Sequence, residues 1–148
     1  MARPSRIYLD TCALMRLFDG RSQTRIDIEA SAIETFFRFL QKGKVQWVAG
    51  EVLEAEILGN PDRKARARVS RLLSGATERI ILSDAAFLRA GRLERLGYGA
   101  LHLACAEDTA ADALLTTDDR FLRRARHGLG HPEIAVENSV NWLQRFKP

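Results

Sequence analysis

Cysteine is scarce in this 148-residue chain: Cys12 and Cys105 lie far apart, with no CxxC pair and no Cys/His cluster. That scarcity argues against a disulfide framework and a structural zinc site, and it leaves both thiols as small hydrophobes of a reducing compartment. Long apolar runs are missing as well. No stretch approaches the roughly 18 residues a membrane helix needs. The N-terminus, Met1 to Arg6, opens onto Ile7-Tyr8-Leu9 and then Asp10, too short for a signal-peptide core. Internal repeats, low-complexity tracts and linkers are also absent. With 46% hydrophobic and 28% charged residues, disorder and collagen-like repetition are excluded. The length suits one domain over residues 1–148, expected in the cytoplasm without a membrane partner.

Lysine is the other scarcity. The basic residues are 19 arginines and 4 lysines, giving a formal net charge of +4. Guanidinium forks suit bidentate contact with phosphate, so a polyanionic partner fits; an arginine-rich genome would produce the same count.

Apolar spacing alternates between short extended runs and longer helical ones. Strands are expected at residues 6–9, 45–49, 80–82, 112–116 and 134–136, and helices at 24–40, 50–58, 62–73, 84–96, 100–111, 119–126 and 140–146. This order predicts an α/β fold: a single three-layer domain with a parallel sheet of about five strands flanked by helices, because parallel strands need helical crossovers.

In such sheets ligands bind outside the carboxyl ends of strands, near the switch in strand order. Asp10 and Asp118 each follow a strand directly. They either converge at one crevice or cap the helices that follow. On the helix after the second strand, Val52, Leu53 and Ile57 define an apolar arc that includes Glu56, while Glu51 and Glu54 fall outside it. A carboxylate expected on a buried face needs a partner or a cation. Clustered carboxylates repel by about 4 kcal/mol at roughly 4 Å and an effective dielectric near 20, a conflict that a hard divalent cation, Mg2+ or Mn2+, resolves. Such an ion polarises a phosphodiester and stabilises the departing oxygen.

Ile7-Tyr8-Leu9-Asp10-Thr11-Cys12 resembles the opening segment of the PIN-domain ribonuclease family, to which VapC-type toxins of toxin–antitoxin systems belong. Gly50-Glu51-Val52-Leu53-Glu54-Ala55-Glu56-Ile57 is similar to the second segment and aligns Glu56 with its acid. Ala100-Leu101-His102-Leu103-Ala104-Cys105-Ala106-Glu107 is similar to the third, and Leu114-Leu115-Thr116-Thr117-Asp118-Asp119-Arg120-Phe121 to the fourth. The four segments run in order along nearly the whole chain. The resemblance implies a PIN-like fold and a Mg2+- or Mn2+-dependent endoribonuclease. It also implies catalytic Asp10, Glu56 and Asp118 with Asp10 and Asp118 on the metal, an RNA substrate, a cognate antitoxin and a homodimer.

One position departs from the pattern. The third segment usually begins Asp-Ala-Leu-His-Leu-Ala, and here Gly99 stands at the Asp position. Glu107 and Asp108 lie about two helical turns further on, too far to substitute, and Asp119 reads as a helix cap. The alternative reading is therefore a catalytically impaired PIN-like module binding RNA or a protein partner. A phosphotransfer domain with Asp10 as nucleophile is a third class, without the usual second Asp two residues later.

Among the remaining residues, His102 reads as a structural core or interface residue rather than a base. Arg120, Arg123 and Arg124, next to Asp118, are candidates for substrate phosphate, while Arg63, Lys64, Arg66, Arg68 and Arg71 form either a solvated helix face or a partner-facing one. Phe36, Phe37 and Phe39 exceed what one buried stripe needs, so part of that surface is expected at a dimer or antitoxin contact. Thr11 and Thr117 either orient metal-bound waters or satisfy turn backbone.

Overall fold

The computed structural model describes residues 3–94, 100–128 and 131–147. Five strands, β1 (Ser5–Leu9), β2 (Val45–Gly50), β3 (Glu78–Ile80), β4 (Ala113–Leu115) and β5 (Ala135–Glu137), form one sheet in the order β3-β2-β1-β4-β5, with every pairing parallel. The crossovers are α1 (Thr11–Met15), a 3-10 turn at Arg16–Phe18, α2 (Thr24–Gln41), α3 (Glu51–Leu58), α4 (Arg63–Leu73), α5 (Asp84–Glu94), α6 (Ala100–Asp108), α7 (Asp119–Arg126) and α8 (Ser139–Arg145). Among the described residues no helix is long and apolar enough to cross a membrane.

The pleat of the central strands sorts side chains into two cores. Ile7, Leu9, Trp47, Ala113 and Leu115 point to one face, where Ile33 and Phe36 of α2, Val69 of α4 and Trp142 of α8 cover them. Tyr8 and Leu114 point to the other, against Ala86 and Leu93 of α5, Leu103 and Cys105 of α6 and Phe121 of α7. Burial on both faces is why these strands read as continuous apolar runs rather than alternating ones. Chain order reverses at β1, which has β2 on one side and β4 on the other, so the switch point lies at the carboxyl ends of β1 and β4.

The observed elements depart from the sequence reading in three main places. A helix follows β1 at once, capped by Asp10; its five residues are too few to give a periodic signal. The third strand lies at 78–80 rather than 80–82, in register with Val48, Ala49 and Gly50. Ile81 is accordingly 80% exposed, and the Leu82 amide donates to the Glu51 carboxylate at 2.7 Å. The sixth helix stops at Asp108, and Ala110 takes a positive φ of 55° to turn the chain into β4. The expected end of the fifth helix, residues 95 and 96, lies outside the described residues.

The phenylalanines of α2 pack largely within the chain. Phe36 is buried against Trp142 with ring centroids 6.0 Å apart, and Phe37 meets Trp47 edge-on at 5.1 Å. Phe39 lies 5.6 Å from Phe146, which stacks on Trp142 at 4.6 Å. The aromatic surplus seals α8 onto α2, consistent with the large area that aromatic rings bury.

Candidate active site

Asp10 leaves β1 where the ladder to β4 is still intact, its amide donating to the Leu115 carbonyl at 3.1 Å. Its Oδ1 accepts the Ala13 amide at 2.9 Å, capping α1. The side chain is buried, and loss of hydration pushes the carboxyl up. Hydrogen bonds from Thr116 and Ala13 and the imidazole of His102 pull it back, and the Asp118 carboxylate raises it again. Asp118 caps α7 by accepting the amides of Arg120 (3.0 Å) and Phe121 (3.3 Å) on Oδ1, while its own amide donates to Thr116 Oγ1 at 3.1 Å. Both acids therefore cap helices, and the charge of Asp118 is felt at Asp10. Thr116 is the bridge between them, a role that the sequence reading missed.

Glu56 projects from α3 into the same region. The helical arc predicted a buried face, yet the carboxylate is 46% exposed; a wheel drawn on eight residues does not say which side borders an open crevice. It is nevertheless partnered. Thr11 donates to Oε2, and His102 Nε2 lies 3.1 Å from Oε1. The His102 bond, followed by that from Thr11, holds the Glu56 carboxyl below its usual range against the opposing effect of burial. Behind it, the Tyr8 hydroxyl meets His102 Nδ1 at 2.7 Å. Of the other two acids of α3, Glu51 binds the Leu82 amide and Glu54 pairs with Arg79, so neither faces this crevice.

The fields of all three acids meet at Cys12. Burial first, and then the negative charges of Asp10, Asp118 and Glu56, push its thiol up to about 11. The thiol is thus protonated at neutral pH and is no nucleophile.

Asp119 does not cap its helix. Arg25 of α2 grips it through two hydrogen bonds, at 2.8 and 2.9 Å, and this pairing holds its carboxyl below the usual range. The same guanidinium donates to the Thr117 carbonyl at 3.0 Å, so Arg25 pins the turn that carries Asp118. Arg120 and Arg123 are exposed on α7, and Arg123 adds to the positive field at Asp119. Position 99, where the family pattern has its third acid, lies outside the described residues.

Among the described residues no group of three or more His, Cys, Asp or Glu side chains is gathered closely enough to form a cation cage. Two hard carboxylates from adjacent strand ends, one of them buried and raised further by the charge of the other, still fit Mg2+ or Mn2+. Magnesium is commonly held by one or two carboxylates while keeping several of its waters.

Gly50 caps the helix that delivers Glu56. A Cβ there would sit 2.4 Å from Cys105 Sγ and 3.4 Å from the Tyr8 ring. Gly50→Ala is therefore expected to destabilise by about 1–3 kcal/mol through overpacking, and Cys105→Ala in the same chain to restore most of the loss. Thermal melts of the single and double variants test this.

No family model matches the chain, and no curated protein matches it by sequence. By structure it is similar to a chain of VapBC2 from Rickettsia felis, solved bound to a DNA fragment from their promoter. The TM-score is 0.60 at 14% identity, over 90% of this chain and 98% of that one. At that identity the likeness establishes the fold, the PIN-like three-layer α/β architecture expected from the four segments.

Proposed function

We propose that the chain is a Mg2+- or Mn2+-dependent endoribonuclease and the toxin of a toxin–antitoxin pair, acting in the cytoplasm on RNA. The observation that carries this reading is the delivery of two mutually repelling carboxylates, Asp10 and Asp118, to adjacent strand ends at the switch point of a parallel sheet, with Glu56 held in the same field. Asp10 and Asp118 would hold the cation. When bound, it polarises the phosphodiester and neutralises charge on the departing oxygen. Glu56, kept ionised by His102 and Thr11, would orient the attacking water and accept its proton. Arg120, Arg123 and Arg124 would hold the RNA backbone beside it.

The partners proposed with this reading are an antitoxin and a second copy of the chain. Leu58 and Leu88, at 74% and 71% exposure, supply apolar surface for such contacts. Purified protein is expected to cut labelled single-stranded RNA with Mg2+ or Mn2+, and to stop when the cation is chelated or Asp118 is changed to Asn. Equal cutting by Asp118→Asn overturns the proposal; RNA binding without cutting supports the impaired module instead. Removing the guanidinium groups in Arg120→Ala/Arg123→Ala is expected to flatten the salt dependence of RNA affinity by about 0.7 in log–log slope per lost contact, read by fluorescence anisotropy.

A further inference from the structure

His102 is used by neither the fold's apolar core nor the cation site, yet it is the most constrained polar side chain near them. It is buried on α6, with its ring tilted 65° to that of Tyr8 at 5.7 Å. Each ring nitrogen has its own partner: the Tyr8 hydroxyl at Nδ1, 2.7 Å away, and Glu56 Oε1 at Nε2, 3.1 Å away. Thr11 Oγ1 lies 3.4 Å from the same Nε2 and donates to the other Glu56 oxygen.

The chemistry of the partners gives the chain a direction. An ionised carboxylate only accepts, so the hydrogen between Nε2 and Glu56 belongs to the imidazole. A neutral ring protonated on Nε2 has a bare Nδ1, which must accept from the Tyr8 hydroxyl. Tyr8 is fully buried in β1, and a phenol, which ordinarily titrates at about 10, keeps its proton at neutral pH. The order is therefore Tyr8 to His102 to Glu56. Because Tyr8 and Thr11 flank Asp10 in sequence, the groups that reach Glu56, directly or through His102, come from the segment that carries that acid.

We propose that His102 is a positioning residue that donates its Nε2 proton to Glu56 while the Tyr8 hydroxyl holds its bare Nδ1, so that with Thr11 it fixes both oxygens of Glu56. The role rests on the nuclease reading only in what Glu56 then does; the tautomer itself is a property of the free protein.

Two arms test it. In isotope-labelled wild type at alkaline pH, where a histidine ring is uncharged, long-range proton–nitrogen spectra are expected to show His102 as one tautomer with Nε2 protonated. Tyr8→Phe, which leaves Glu56 as the acceptor at Nε2, is expected to keep that tautomer while the Nδ1 resonance shifts because its donor is lost. A wild-type proton on Nδ1, or an unchanged Nδ1 resonance in Tyr8→Phe, overturns the proposal. In the second arm, with Mn2+ alone as the binding probe and labelled RNA as substrate, His102→Ala is expected to lower kcat about tenfold with Mn2+ affinity within about twofold of wild type. His102→Gln, whose amide still donates toward Glu56, is expected to recover most of that loss. Parallel falls in Mn2+ affinity, melting temperature and kcat in both variants mark His102 as merely structural and overturn the proposal. Should wild type neither bind Mn2+ nor cut RNA, the nuclease reading fails on its own, and the spectra still decide whether Tyr8 orients His102.

Discussion

Asp10→Asn is expected to melt higher than wild type at neutral pH in the absence of divalent cations, while losing at least about 100-fold in RNA cleavage. The stability gain follows from the position of the acid. Burial raises the Asp10 carboxyl, and the Asp118 charge raises it further. A carboxyl whose folded-state pKa is raised costs stability wherever it is ionised: the cost is full above the folded value and vanishes as pH falls below the ordinary aspartate value. Asn keeps an oxygen for the Ala13 amide that Asp10 now binds, so the helix cap survives. The Thr116 hydroxyl, which now donates to Asp10, can turn to accept from the new amide. The expected gain is on the order of 1 kcal/mol, about 3 °C for a chain of this size. The difference should close in acid, and saturating Mn2+ should reverse it, because only wild type gains from binding. Melting curves at neutral and acid pH, with and without Mn2+, read all of this. A variant less stable at every pH would mean that Asp10 is a structural acid.

Glu29→Ala is expected to cost about 3 kcal/mol, on the order of 9 °C in melting temperature. Glu29 is nearly inaccessible on α2. It accepts from Arg16 Nε at 2.9 Å, Arg25 Nε at 3.4 Å and Asn138 Nδ2 at 2.6 Å. It therefore ties the 3-10 turn after α1, the first turn of α2 and the cap of α8 to one carboxylate. Asn138 spends its Oδ1 on the Val140 amide, so its amide nitrogen loses a partner when the acid is removed. Arg16 retains Asp19 and Arg25 retains Asp119, which keeps the loss near the lower end for a broken buried pair. Glu29→Gln, which preserves an acceptor for Asn138, should lose less. Because Arg25 also pins the turn bearing Asp118, Glu29→Ala should weaken Mn2+ binding as well as stability, and calorimetry on the folded variant separates the two effects.

The parts of the fold that the sequence made legible are those dictated by burial. β1, β2 and β4 are covered on both faces, so their apolar runs stand out, and helices such as α2 and α4 carry a clear apolar stripe. β3 was misplaced because Ile81, apolar and adjacent to it, faces solvent. Of the candidate site, the positions of Asp10 and Asp118 after strands and of Glu56 on α3 were legible, since acids that follow strands and short segment patterns are local signals. Its supports were not. Tyr8 reads as one more core aromatic, and Arg25 lies 94 residues from the Asp119 it grips, a pairing that no local pattern encodes. His102 was expected to be structural. The structure bears out its burial and adds hydrogen bonds to Tyr8 and Glu56 that helical spacing does not reveal.

The central claim is that carboxylates from separate strand ends share one cation. Calorimetric titration of the purified chain with Mn2+ tests it most directly, run side by side on wild type, Asp10→Asn and Asp118→Asn. One saturable site in wild type, lost in both variants while their folds persist, is the predicted result. Wild-type binding that survives in either variant, or no binding to the wild-type chain, would contradict it.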